Sequence, residues 1–154
     1  RLVWPFASRL ARQPDVAASA EPRLPAYALT VELHRPFHAA LRDVRSALEA
    51  EELQLWQEQD LTALLGHGQP QVVLGFCAPR VLELALQLDP ELCALLPLQG
   101  SVREIAPGQV RVALQDPMGS VALCRSTEWQ GLCKFHYGRL RRVVDRLMLG
   151  PPGI

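Results

Sequence analysis

At 154 residues the chain has the length of one domain, and such a domain buries roughly two-thirds of the surface its unfolded form exposes, so no disulfide or metal staple is required. Sixteen basic and sixteen acidic side chains cancel, which removes the global field that would draw in nucleic acid or an anionic membrane. The longest apolar run, Val72 to Ala78, is far shorter than the roughly twenty residues of a spanning helix, and Cys77, Cys93, Cys124 and Cys133 stand too far apart for a C-x-x-C zinc or dithiol motif.

Residues 1–26 differ in character from the rest of the chain. They hold Pro5, Pro14, Pro22 and Pro25, and they place Arg1, Arg9 and Arg12 ahead of the first acid, Asp15. Such a stretch builds no core, and the expectation is an extended arm whose Trp4, Phe6 and Arg9 contact another surface. An arginine-rich, acid-poor N-terminus also resembles the remnant of an import sequence, so an organellar location is expected, mitochondrial or plastid, with the cytoplasm as the other choice.

From Tyr27 the pattern becomes regular, and residues 27–149 read as a single domain followed by a short tail, 150–154. Tyr27, Leu29, Val31 and Leu33 alternate with Ala28, Thr30 and Glu32, the period of a half-buried strand. Pro36 suits the first position of a helix running to about residue 50, with Phe37, Ala40, Leu41, Val44 and Leu48 on its apolar face. Glu51 and Glu52 at its end read as ordinary surface charge. Leu53 to Gln57 forms a short second strand, and Gly66, Gly68 and Pro70 mark a loop before the buried strand Val72 to Cys77. Val81 to Leu88 is helical and stops at Asp89 and Pro90. Ser101 to Ile105 and Gln109 to Leu114 flank Pro107 and Gly108 as a hairpin. A long final helix, Lys134 to Met148, has Phe135, Leu140, Val143, Val144 and Leu147 as its stripe and Gly150 as its stop.

Several of these positions fall into a series: Gly75, Cys77 and Pro79; Ala85, Leu86 and Asp89; Leu95, Leu96 and Pro97; Glu104, Gly108, Val110, Val112, Asp116 and Pro117. The series resembles that of the domain of unknown function 302 family, with its G-x-C-N-P, A-L-x-x-D, L-L-P-C and V-x-V-x-x-x-D-P stretches, over about Tyr27 to Leu149. Asp60 falls where that family often carries an acid after its second strand. The resemblance implies an α+β fold of β-α-β-β-β-α type, an antiparallel sheet backed by helices as in TATA-binding-protein-like architectures, and it implies no activity. Ala78 stands where the family has asparagine, and Leu98 where it has a second cysteine. Chemistry resting on those side chains is therefore not expected, and retention as a scaffold is.

Among candidate sites, His34 and His38 have the four-residue spacing of a helical metal pair, but Pro36 starts the helix between them, so no metal site is expected. Cys77 precedes a helix N-terminus, which can activate a thiol; with no histidine close in sequence, the reading is an inert, packed cysteine. Cys124 and Cys133 flank an insertion, residues 126–132, in which Thr127 and Gln130 could form a capping box, and free thiols are expected rather than a disulfide. In the final helix Lys134, Arg139, Arg141, Arg142 and Arg146 face only Asp145, a surplus of four positive charges. Arg139, Arg142 and Arg146 are thus candidate partner contacts, the other reading being a solvated outer face. Without interleaved aromatics the same face does not read as a nucleic-acid surface.

No phosphate loop, G-x-S-x-G elbow or H-E-x-x-H is present, and no cofactor is expected. The reading that results is a non-catalytic accessory subunit of a larger, organellar complex, contacting other protein subunits through its arm, its insertion and its basic final helix. Homo-oligomers and peripheral membrane association stay open. The alternative is a small-ligand-binding or thiol-dependent protein using a groove around Cys77, Pro79, Pro97 and Asp116.

Overall fold

The computed structural model describes residues 27–150. Its elements are β1 (Ala28–Leu33), α1 (Phe37–Ala50), β2 (Gln54–Asp60), α2 (Leu61–Leu65), β3 (Gln71–Cys77), α3 (Pro79–Leu88), β4 (Leu98–Ala106), β5 (Gln109–Gln115) and α4 (Thr127–Leu149), with 3-10 turns at Pro90–Leu95 and Pro117–Ser120. The strands form one sheet in the order β1-β5-β4-β3-β2, and every neighbouring pair is antiparallel. The expected α+β class and helix-backed antiparallel sheet are what the chain adopts, with two short helical elaborations between the strands. None of the helices among the described residues is long and apolar enough to cross a membrane.

Period-2 alternation decides which face of the sheet is covered. Leu33, Val110, Val112, Leu114, Val102, Leu98, Val72, Leu74 and Phe76 are buried, and the register pairs them across strands on one face. The opposite face is polar and includes Gln57, Gln99 and Arg103, with Gln71 Nε2 donating to Ser101 Oγ at 2.9 Å. Because β1 and β2 are the two edges of the sheet, α1 must cross the whole apolar face to connect them. Its residues Phe37, Ala40, Leu41, Val44, Ala47 and Leu48 recur at helical spacing and are all buried, which sets its C-terminus beside the β2 edge.

The final helix departs most from expectation. It begins at Thr127, so the supposed insertion is its first two turns, and Trp129 and Cys133 there are core residues. Ser126, rather than a Thr127–Gln130 box, is the cap: its hydroxyl accepts from Trp129 N–H at 3.3 Å. Phe135 is exposed and His136 is buried in its stead. The reason is helical phase, since residues 129, 133, 136, 140, 143, 144 and 147 share one face and residue 135 does not.

The shorter elements are set by aspartates. Asp60 Oδ1 accepts from Ala63 N–H (3.0 Å), Asp89 Oδ1 from Glu91 N–H (3.0 Å) and Asp116 Oδ1 from Met118 N–H (2.9 Å). Each ends one element and starts the next helical turn by satisfying an orphan donor. The second strand accordingly extends beyond Gln57 to Asp60 and runs straight into α2. Gly108, at φ +75°, occupies the left-handed position of the two-residue β4–β5 turn.

Gly75 answers a different constraint. A Cβ placed there would lie 2.8 Å from Gln57 Cγ and 3.0 Å from Pro97 Cγ, and the proline ring cannot yield. Gly75→Ala is expected to lower stability by about 1–3 kcal/mol, as overpacking does, with an unchanged urea m-value in equilibrium unfolding.

Candidate functional site

The sheet register gathers the motif residues at one end. Gln54 pairs with Cys77, Phe76 with Leu98, and Gln115 with Ala28, so Cys77, Pro97 and Asp116 all lie at the end of the sheet where β3 runs into α3. Neither concavity described below has Cys77, Pro97 or Asp116 in its lining. Cys77 is fully buried, Asp116 is occupied as a cap, and Pro97 packs against Gly75. Pro79, by contrast, lines two open concavities among the described residues. One, of about 470 Å³, has Leu53, Leu55 and Pro79 as its apolar lining and Arg45, Glu49, Glu52 and Gln54 as its polar lining. A smaller one, about 290 Å³, shares Glu52 and Pro79 and is completed by Glu51, Ala78, Arg80, Phe135 and Arg139.

Behind Pro79 the fold brings together a pair that linear spacing hides. Cys77 Sγ lies 3.9 Å from His136 Nε2, and the same nitrogen accepts the Ala78 N–H at 3.3 Å. With Nε2 as acceptor the neutral imidazole carries its proton on Nδ1. Burial pushes the Cys77 thiol up to about 11 and drives His136 down to about 4. Both costs fall on the charged forms, so the neutral pair is favoured over thiolate and imidazolium. The contact thus fastens α4 to the β3–α3 junction, with the thiol in its neutral form. Leu140, one turn on, and Cys133, three residues back, are the signal that could have placed His136 on the buried stripe.

Glu51 corrects the reading of surface charge, for its side chain is only 4% exposed. Its Oε2 accepts from Arg142 Nε at 2.8 Å and its Oε1 from Arg146 Nε at 2.9 Å, with Arg139 Nη1 at 3.6 Å. Burial alone would raise its pKa, but the hydrogen bonds from Arg142 and Arg146 outweigh it and hold the carboxyl below its usual range. Arg139 also reaches Glu52 (3.4 Å) and lies 4.9 Å over the Phe135 ring. The three arginines expected to offer a free basic face are therefore engaged with the end of α1, because spacings of three and four put residues 139, 142 and 146 on the side of α4 that meets it.

Cys124 and Cys133 are free, and Cys133 Sγ lies 3.3 Å from Ser120 Oγ. His34 precedes α1 and His38 sits within it, both exposed, and no group of three or more metal-ligating side chains occurs among the described residues. Trp4, Phe6 and Arg9 lie outside the described residues.

Two measurements check these assignments. The native state holds His136 neutral down to about pH 4 while the unfolded chain protonates near 6.5, so the unfolded state binds the proton first. Stability present above pH 6.5 should fall by up to about 3 kcal/mol on acidification towards pH 4, and His136→Gln should flatten that slope in urea titrations. Glu51→Gln should cost about 1–3 kcal/mol at neutral pH by removing the negative charge and replacing one of the two acceptor oxygens that Arg142 and Arg146 use with a donor, and Arg142→Gln added to it should cost less than it does in the wild type.

Comparison with known proteins agrees with this architecture. The family model described as Domain of unknown function DUF302 matches residues 29–147. Among solved structures, an uncharacterized conserved protein DUF302 from Bacillus stearothermophilus superposes with a TM-score of 0.70 at 17% identity, over 79% of this chain and 98% of that one, a likeness of fold. No curated protein matches. The matched span opens one residue into β1 and closes on Leu147, the last core residue of α4, and on that coverage the chain belongs to the DUF302 family.

Proposed function

We propose that this protein is a non-catalytic interaction subunit whose contact surface is the β2 end of the sheet. The observation that supports this is the conjunction of the 470 Å³ groove with a strand edge that is unpaired among the described residues. β2 is seven residues long and interrupted by a bulge, and the bulged residue Trp56 is 39% exposed on that edge. An edge offers a row of free N–H and C=O groups, and the groove offers apolar lining beside it, so a partner segment gains backbone pairing and side-chain burial together. Leu64 and Leu65 extend the apolar strip at the far end of β2. Glu49, Glu52, Glu58 and Asp60 make the surroundings acidic, Arg45 being bridged to Glu58. The favoured partner segment is accordingly extended, apolar and basic.

Membership in an organellar complex is retained as part of this proposal, on the composition of residues 1–26 alone. The basic helix is not part of the surface, since Arg139, Arg142 and Arg146 already serve Glu51. The thiol-dependent alternative draws no support from a cysteine that is fully buried with its pKa pushed up to about 11.

A photo-cross-linking residue placed at Trp56 should capture a discrete protein in the native source, and charge reversal at Glu49 and Glu52 should weaken the capture. Labelling no different from that at Arg103, on the polar sheet face, would sink the proposal. In the same preparation Cys77 should alkylate at least about 100-fold more slowly than an unperturbed thiol, because its thiolate fraction is smaller by that factor. Rapid alkylation of the folded protein would revive the thiol reading.

A further inference from the structure

Resting on that reading of the surface, we propose that Glu52 and the Phe135 ring form a subsite for an arginine side chain of the partner segment, which Arg139 fills in the free protein and leaves on binding. The subsite is the 290 Å³ cavity beside the groove, and Glu52 and Pro79 line both. Its present occupant shows the chemistry it takes. The Arg139 guanidinium lies 4.9 Å over the Phe135 ring, with Nη2 at 3.4 Å from Glu52 and Nη1 at 3.6 Å from Glu51. A carboxylate beside an aromatic face suits a flat, delocalised cation.

Arg139 holds this place loosely. Both of its ion pairs are longer than the roughly 2.7–3.2 Å of a well-made N–H···O bond, and its Nε is buried without a hydrogen-bond partner. By swinging outwards the side chain exchanges that orphaned donor for a hydrated one. Glu51 does not depend on it, because Arg142 and Arg146 occupy its two oxygens at 2.8 and 2.9 Å. Glu52 is the group that loses its cation. Arg80, the other cation of the cavity, is paired with Glu83 at 3.2 Å, and Arg45 in the adjoining groove is bridged to Glu58. The vacated cavity therefore carries one uncompensated carboxylate, with Glu49 adding another in the groove. Glu52 also keeps a left-handed backbone, φ +59°, the kind of strain found at ligand clamps. A segment lying in the groove has Glu52 and Pro79 beside it, so one of its arginine side chains reaches the cavity.

The probe is N-acetylarginine methylamide, titrated into the isotope-labelled full chain and followed by NMR against its uncharged citrulline analogue. Amides of Glu52, Leu53, Arg80 and Phe135 should shift with the arginine compound and not with the citrulline one. Arg139→Met, which keeps an apolar stem, should tighten the arginine compound about fivefold or more, because no tethered side chain then competes for the site. Phe135→Leu, at an exposed position that the core does not use, should weaken it about threefold or more, and it decides the matter alone if the first variant does not fold. Equal shifts with the citrulline compound overturn the inference, as does an unchanged Kd in either folded variant. Cross-linking at position 56 separates this idea from the surface on which it rests: probe binding without partner capture defeats the partner reading alone, and capture without probe binding defeats the subsite alone.

Discussion

A carboxylate removed from water must find cations or lose its charge, and Glu51 finds three arginines, Arg139, Arg142 and Arg146, on successive turns of α4. That pairing ties the end of α1 to the middle of the last helix, and the rest of the β2 end of the sheet is arranged around it. Because Glu51 points inward, the chain turns at Glu52, at φ +59°, and delivers Leu53 into the core. Because α4 is held at this height, His136 meets the Ala78 N–H on its other side. The two grooves are what remains between these contacts, with Pro79 and Glu52 common to both.

The residues by which the family is recognised turn out to work for the fold. Gly75 is small because Gln57 and Pro97 press on it, and Asp60, Asp89 and Asp116 each cap a helical turn. Cys77 fills space beside a histidine that holds a backbone donor. A motif of this kind marks how the chain must bend, and nothing obliges it to mark where a ligand binds. Accordingly Cys77, Pro97 and Asp116, though neighbours of Pro79 at one end of the sheet, each serve a local structural role among the described residues.

Function is better sought where local rules are left unfinished. Most apolar side chains of the described residues are absorbed by the single core, yet Trp56 on the β2 edge and Leu64 and Leu65 on the α2 that follows it are among those left exposed. Sheet edges are commonly blunted by charge or a bulge, and β2 carries both a bulge and the acids Glu58 and Asp60. Those devices disfavour indiscriminate pairing, while the adjoining apolar groove favours a segment that brings its own apolar and basic residues.

The α+β class, the helix-backed antiparallel sheet and most of the core were legible in the sequence, because period-2 and period-3.6 patterns are local and the solvent enforces them residue by residue. Legible too was the burial of Cys77, although no histidine is near it along the chain and one is 3.9 Å away in space. What only the tertiary structure decided were the contacts across long separations. Glu51 and Arg142 are 91 positions apart and Cys77 and His136 are 59, so neither the loss of a surface carboxylate nor the engagement of the basic helix could be read from neighbours in sequence. Phase settled the rest: a shift of one residue in the register of α4 exchanged Phe135 for His136 in the core, and burial then fixed the protonation of both members of the pair.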